Sequence, residues 1–279
     1  MPSQWDFETV PGLFVQSDLD AQDEAHFDTF ATPYFGLKSK DWSALDAAVK
    51  KLRQNQKPGE AYKVFFLARH GEGFHNVAEA KYGTEAWDAK WSLLNGDDEL
   101  VWGPDPELTP LGLSQAEAAH KGWGRELQKH GAILPEKFIV SPFIRAADTG
   151  KITWQGLADL SQFVIKEQWR ETIGEHTCDK RSTKSAFAQR YPFQIESGFT
   201  EEDELWKADE RETPNQQTAR LYQAMSHYFD QDQESLYVSL SAHSGTIRAI
   251  LEAVRFPKAF TLMTGGMIPV VVKGTTRSD

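Results

Sequence analysis

From residue 62 onward, short apolar runs alternate with longer amphipathic stretches. Lys63–Ala68 (KVFFLA), Lys137–Ser141 (KFIVS), Phe163–Lys166, Leu236–Ala242 (LYVSLSA) and Ile268–Lys273 have the length and β-branched or aromatic content of buried strands. Between them, Thr109 is an N-cap with Pro110 at the first helical position, opening a helix to about His130 before Gly131. A second helix is expected from about Phe143 to Leu157. Ile247, Ile250, Leu251 and Val254 fall at i, i+3, i+4 and i+7 and mark one face of a third, stopped before Pro257. Strand–helix alternation of this kind predicts an α/β protein, a three-layer αβα sandwich with a mostly parallel central sheet. Residues 1–60 follow another pattern: scattered aromatics (Trp5, Phe7, Phe14, Phe27, Phe30, Tyr34, Phe35) and one helical stretch near Asp41–Arg53, ended by Pro58-Gly59. They read as an N-terminal arm packed on a core of residues 62–273, within a single domain of residues 1–279.

The composition agrees with a folded chain: 279 residues, 40% apolar and 25% charged. A formal charge of −11 argues against an extended nucleic-acid surface or an anionic membrane partner, while leaving room for a small basic pocket. The one cysteine, Cys178, cannot form an internal disulfide. The N-terminus lacks a basic n-region and an apolar h-region, and no apolar run approaches the ~18 residues of a membrane span. The expectation is a soluble cytoplasmic protein with a small-molecule partner, no nucleic acid and no membrane; a homodimer stays open.

Four of the expected strands run directly into segments bearing reactive or anion-binding side chains: Arg69-His70-Gly71, Ser141-Pro142-Phe143-Ile144-Arg145, Arg170-Glu171 and His243-Ser244-Gly245. Parallel strands would bring all four to one sheet edge, where α/β proteins bind ligands. The residue types suit phosphoryl chemistry. Arginine offers a planar fork of donors to phosphate oxygens and keeps its charge. A neutral imidazole is a competent nucleophile near pH 7 once a neighbour fixes its tautomer. A glutamate in the same crevice can protonate a leaving alkoxide and then activate water.

These segments resemble a known family. Leu67-Ala68-Arg69-His70-Gly71-Glu72-Gly73-Phe74-His75-Asn76 is similar to the RHG signature of the histidine phosphatase superfamily, the phosphoglycerate-mutase-like proteins. In the family's order follow Leu108–Ala116 (LTPLGLSQA), Ser141–Thr149 (SPFIRAADT) and Ser241–Gly245 (SAHSG). The resemblance spans residues 62 to about 273. It implies a phosphohistidine mechanism without a metal or other cofactor. His70 matches the nucleophile, Arg69, Arg145 and His243 the phosphate pocket, Asn76 a further contact, and Glu171 the general acid and base. Because His243 is followed by Ser244 rather than Asp, the chain resembles the branch that takes its acid from the Glu171 position.

Directly after Glu171, Gly174–Ser182 (GEHTCDKRS) resembles a GxHxCDxR run of a fungal and plant subgroup of phosphatase-like members. Through that resemblance Lys180, Arg181 and Lys184 are expected to extend the positive pocket. The Tyr-Gly-rich segment of true mutases is not found, which favours a phosphatase over a mutase. Glu72, Glu175 and His176 remain rival proton donors. His75 lies five residues after His70, not at the i, i+4 spacing of a HExxH metal helix, and neither GxSxG nor a GxxxxGK[ST] loop is present. His26, His120, His130 and His227 read as solvated or capping residues. Trp87, Trp91 and Trp102 fall in the insertion between the first two motifs, as a substrate wall or only a packed loop. Three functions stay in view: a metal-independent phosphatase of a small phosphorylated metabolite; the same pocket turned to isomerase, dehydratase or lyase chemistry; and a non-catalytic binding protein.

Overall fold

The computed structural model describes residues 4–19, 27–258, 260 and 262–277; His26 lies outside them. Seven strands form one sheet: β1 (Trp5–Thr9), β2 (Glu60–Arg69), β3 (Lys137–Val140), β4 (Phe163–Ile165), β5 (Gln194–Ile195), β6 (Tyr237–Ala242) and β7 (Met267–Thr276), in the order β1-β7-β2-β6-β3-β4-β5. β2, β6, β3, β4 and β5 run parallel, and β7 runs antiparallel to β2 and to β1. The expected α/β sandwich is present, with four of the five consecutive parallel strands, β2, β6, β3 and β4, running into the motif segments.

Alternation along β2 assigns the two faces. Val64 and Phe66 enter one apolar layer with Trp42, Leu45 and Val49 of α1 (Trp42–Gln54). Ala119 and Trp123 of α4 (Pro110–Arg125) and Ala147 and Trp154 of α5 (Ile144–Trp154) complete that layer. Phe65 and Leu67 enter the other with Leu221, Met225 and Phe229 of α7 (Pro214–Gln231) and Ile247, Ile250 and Leu251 of α8 (Ser244–Ala253). Strand side chains project to opposite faces with period two, so a strand buried on both sides must be apolar throughout. The smaller helices α2 (Phe74–Tyr82), α3 (Thr84–Ala89) and α6 (Lys184–Arg190) lie in the connections at the motif-bearing edge.

The first sixty residues are more deeply integrated than an arm laid on a finished core. β1 is an edge strand of the sheet, and Trp5 and Phe7 are almost fully buried beside Phe229. On the opposite face Phe30, Phe35 and Trp42 pack edge-on around Trp123 and Phe66. No helix among the described residues is long and apolar enough to cross a membrane.

Candidate active site

Register places the two histidines side by side. Arg69 at the end of β2 pairs with Ala242 at the end of the parallel strand β6, so His70 and His243 are the next residue on each. Their ring centroids are 5.0 Å apart. His70 N–H donates to Ala242 O, and His70 O accepts from Gly265 N, fixing the backbone at the turn.

The loop after His70 is clamped to α4 and α5. Gly71 N donates to Thr149 Oγ1 (3.0 Å), Glu72 N to Gln115 Oε1 (2.7 Å), and Thr109 Oγ1 to Glu72 Oε1 (2.7 Å). A Cβ on Gly71 would strike the Gly112 backbone, and one on Gly112 the Glu72 backbone. Thr149, Gln115, Thr109 and both glycines are the non-reactive letters of the motifs, and here they are the scaffold of the His70 loop.

The His70 ring is 2% exposed. Its Nδ1 lies 2.6 Å from Gly71 O. A carbonyl can only accept, so Nδ1 carries the proton and Nε2 keeps its lone pair. Burial, with the Arg145 and Arg69 charges next, holds the imidazole well below its ordinary pKa; the Gly71 hydrogen bond acts weakly the other way. His70 is therefore a neutral, orientated imidazole at pH 7. His243 is held low by the same causes in the same order, burial and then Arg145. Its Nε2 lies 2.7 Å from Ser141 Oγ. If the serine hydroxyl donates, the His243 proton sits on Nδ1.

Arg69 donates through Nη1 to Leu262 O (2.7 Å). Arg145, 1% exposed, donates to Cys178 O (2.7 Å) and Asp179 Oδ1 (3.0 Å) and lies over the Phe143 ring. Both keep a buried Nε without an intramolecular partner, as do His243 Nδ1 and His75 Nδ1. Buried N–H groups are ordinarily paired, so such a concentration beside one imidazole marks a place for an acceptor. His75 is 5.3 Å from His70 between ring centroids, and Gly73 makes room for its ring. Sequence reading weighed His75 only as a metal ligand.

Glu171 sits against the first turn of α8. Gly245 N donates to its Oε2 (2.9 Å), and Gln217 Nε2 (2.8 Å) and Thr172 N (2.9 Å) donate to Oε1. Gln217, on a helix absent from the sequence reading, was missed; the Thr213-Pro214 start with Gln216 at the third position is the capping signal that marks that helix. Asn76 accepts from Gly73 N (3.0 Å) and closes the first turn of α2.

Other expectations are revised. Arg181 is 4% exposed and spends its guanidinium on Glu167, Thr200 and the carbonyls of Ser182, Glu201 and Glu202, so it braces a loop instead of extending the pocket. Arg170 forks onto Asp203 and also reaches Glu167. Lys180 lies over Trp206, and Lys184 opens α6 on the exposed surface. Trp87 and Trp102 are buried in a small core with Ala78 and Cys178, so the tryptophans mainly pack the insertion. His120 meets Thr153 O, and His130 meets Glu126 and stacks on Tyr34. A groove of about 830 Å³ beside α7, lined by Trp169, Tyr222 and Tyr228, includes none of the active-site residues.

The chain is 39% identical over 293 residues to a "Probable phosphoglycerate mutase" of Arthroderma benhamiae, covering 98% of this chain and 86% of the relative. A "Probable phosphoglycerate mutase PMU1" of Saccharomyces cerevisiae is 36% identical over 288 residues, covering 95% of this chain and 95% of the relative. Among solved structures, a mycobacterial glucosyl-3-phosphoglycerate phosphatase aligns with a TM-score of 0.46 at 20% identity, over 75% of this chain and 90% of that one. Residues 65–261 match the model of branch 1 of the histidine phosphatase superfamily, and the chain belongs to that family.

Proposed function

We propose that the protein is a metal-independent phosphatase that hydrolyses a small phosphorylated metabolite through a phosphohistidine on His70. The observation that carries this reading is the contact of His70 Nδ1 with Gly71 O, which leaves Nε2 its lone pair, together with the buried, unpartnered Nε–H groups of Arg69 and Arg145 and the unpartnered Nδ1 of His243. These donors match the equatorial oxygens of a phosphoryl group, whose transfer depends on positioning and charge stabilisation. His70 Nε2 attacks phosphorus, and the P–O bond to the leaving group breaks. Glu171, in its acid form, supplies the proton to the leaving oxygen. The resulting carboxylate then takes a proton from water, whose oxygen attacks phosphorus and breaks the P–N bond, releasing inorganic phosphate.

The names of the relatives favour a second reading, in which the phosphohistidine passes its phosphoryl group to another hydroxyl of a phosphoglycerate. One experiment separates the two. Phosphate release from p-nitrophenyl phosphate and a panel of sugar and glycerate phosphates is followed in EDTA, for wild type and His70→Ala. The phosphatase reading expects turnover that survives the chelator and falls to background in His70→Ala, with Glu171→Gln slower by about 10²–10⁴-fold. Isomerised 3-phosphoglycerate without phosphate release would establish the mutase. Undiminished hydrolysis by His70→Ala would sink both.

A further inference from the structure

The segment Gly174–Arg181 follows Glu171 and carries charged residues that the proposed chemistry does not use. His176 and Asp179 are buried within it, and Cys178 lies between them. Ligand atoms of these three residues lie within 4.8 Å of one another, which invites a metal reading. The surroundings oppose it. Asp179 already faces two guanidinium groups, Arg145 through Oδ1 (3.0 Å) and Arg211 through Oδ2 (3.4 Å), and burial followed by the Asp179 charge pushes the Cys178 thiol well up. A cation would have to displace two others and ionise a thiol that resists it.

We propose that Asp179 is the positioning residue for Arg145, and that Gly174–Arg181 is the strap that delivers it. The inference rests on the phosphate-pocket reading above. Every known contact of the Arg145 guanidinium lies on its two terminal nitrogens: Nη1 on Cys178 O and Nη2 on Asp179, with the Phe143 ring 4.5 Å away. Nε is buried and without a partner. The strap therefore grips the far end of the guanidinium and leaves the edge that an incoming oxygen can take. Asp179 and an anion do not compete for the same nitrogens.

The strap is itself held at three points. Arg170 Nη2 donates to the backbone carbonyl of Asp179 (2.9 Å), while its fork binds Asp203 at 2.8 and 2.6 Å. Asp203 in turn accepts from Arg181 N (2.9 Å), and the Arg181 side chain ties to Glu167 and residues 200–202. Arg211 joins Gly174 O (2.7 Å) to Asp179. Arg181, expected from the CDxR run to extend the positive pocket, thus acts one step away: with Arg170 and Arg211 it fixes the carboxylate that fixes Arg145. A long side chain restrained in advance loses less freedom when its ligand arrives.

The test measures binding of orthovanadate to the full chain by calorimetry, for wild type, Asp179→Asn, Asp179→Glu, Arg145→Lys and the Asp179→Asn/Arg145→Lys pair, each checked for folding by its Tm. Asp179→Asn removes the charge, and Asp179→Glu shifts the carboxylate by one methylene inside a closed strap; in protein that Tm shows to be folded at the assay temperature, both should weaken vanadate by about tenfold or more. A strap that only stabilises the fold would give losses that add to those of Arg145→Lys. Positioning through Arg145 requires the opposite: Arg145→Lys, costly in wild type, should cost no more than about twofold once Asp179 is gone. Unchanged or tighter vanadate binding in whichever Asp179 variant folds, or additive losses, overturns the proposal. Wild type that binds no vanadate would remove the phosphate-pocket reading and this inference with it, whereas wild-type binding that survives in Asp179→Asn removes this inference alone.

Discussion

Gly245 is the residue where a side chain would run into Glu171. Its N–H donates to Glu171 Oε2, and a Cβ added there would overlap Glu171 Oε1 and crowd Gln217 Nε2. Because the clash is with the proposed acid–base group and not with the proposed phosphate donors, Gly245→Ala is expected to lower kcat by about 10²-fold while changing KM little. Steady-state kinetics of the purified variant decides this; a loss confined to KM would place Glu171 outside the chemical step. The same residue shows what sequence can and cannot deliver. His70, Arg69, Arg145 and His243 were readable because each sits in a short motif behind an apolar run. Their supports were not, since hydrogen bonds from Gln217 to Glu171 and from Arg145 to Asp179 join residues 46 and 34 positions apart. Arg181 misled for the same reason: a charged residue beside a motif has the same spelling whether it faces ligand or Glu167.

At the scale of elements, strands with continuous apolar runs were legible, and those without were not. β2 and β6 are buried on both faces and spell it out in KVFFLA and LYVSLSA. β5 is two residues long and carries no pattern to find. β1 (WDFET) alternates Trp5 and Phe7 with polar residues, a half-buried edge strand, yet among the scattered aromatics of the first sixty residues it reads only as part of an arm. Its burial makes a measurable difference. Phe7 is 1% exposed, with its ring against Phe229 and Tyr222. Phe7→Ala should therefore cost about 3–5 kcal/mol in urea unfolding, the cost of removing a core phenylalanine. A cost under about 1 kcal/mol, the level of an exposed position, would mean that β1 is a detachable edge and not part of the core.

The whole molecule carries the consequence of building a cationic site from neutral imidazoles. Burial, and then the neighbouring positive charges, holds His70, His75 and His243 well below their ordinary pKa; the same causes, with Arg211 as the charge, bring His176 to about 4. In the unfolded chain all four titrate near 6.5. Above that value neither state binds these protons, and the histidines leave stability independent of pH. Below it the unfolded chain takes up protons that the folded site refuses, so stability must fall as pH falls, each histidine contributing up to about 1.4 kcal/mol per pH unit. For His176 the loss runs from about 6.5 down to about 4, and for the other three it continues to their lower folded values. Asp105, buried and raised, works in the opposite sense, gaining a proton in the folded state before the unfolded one. Tm measured at fixed ionic strength should therefore fall only gently from pH 8 to 7, where buried Lys63, brought to about 8, completes its protonation in the folded state, and decline more steeply from 6.5 to 5. His75→Gln should make that decline shallower, because one buried imidazole no longer has to stay neutral. A Tm that stays level to pH 5 would mean that the three site imidazoles protonate in place, and that His70 is not held in the neutral form its proposed attack requires.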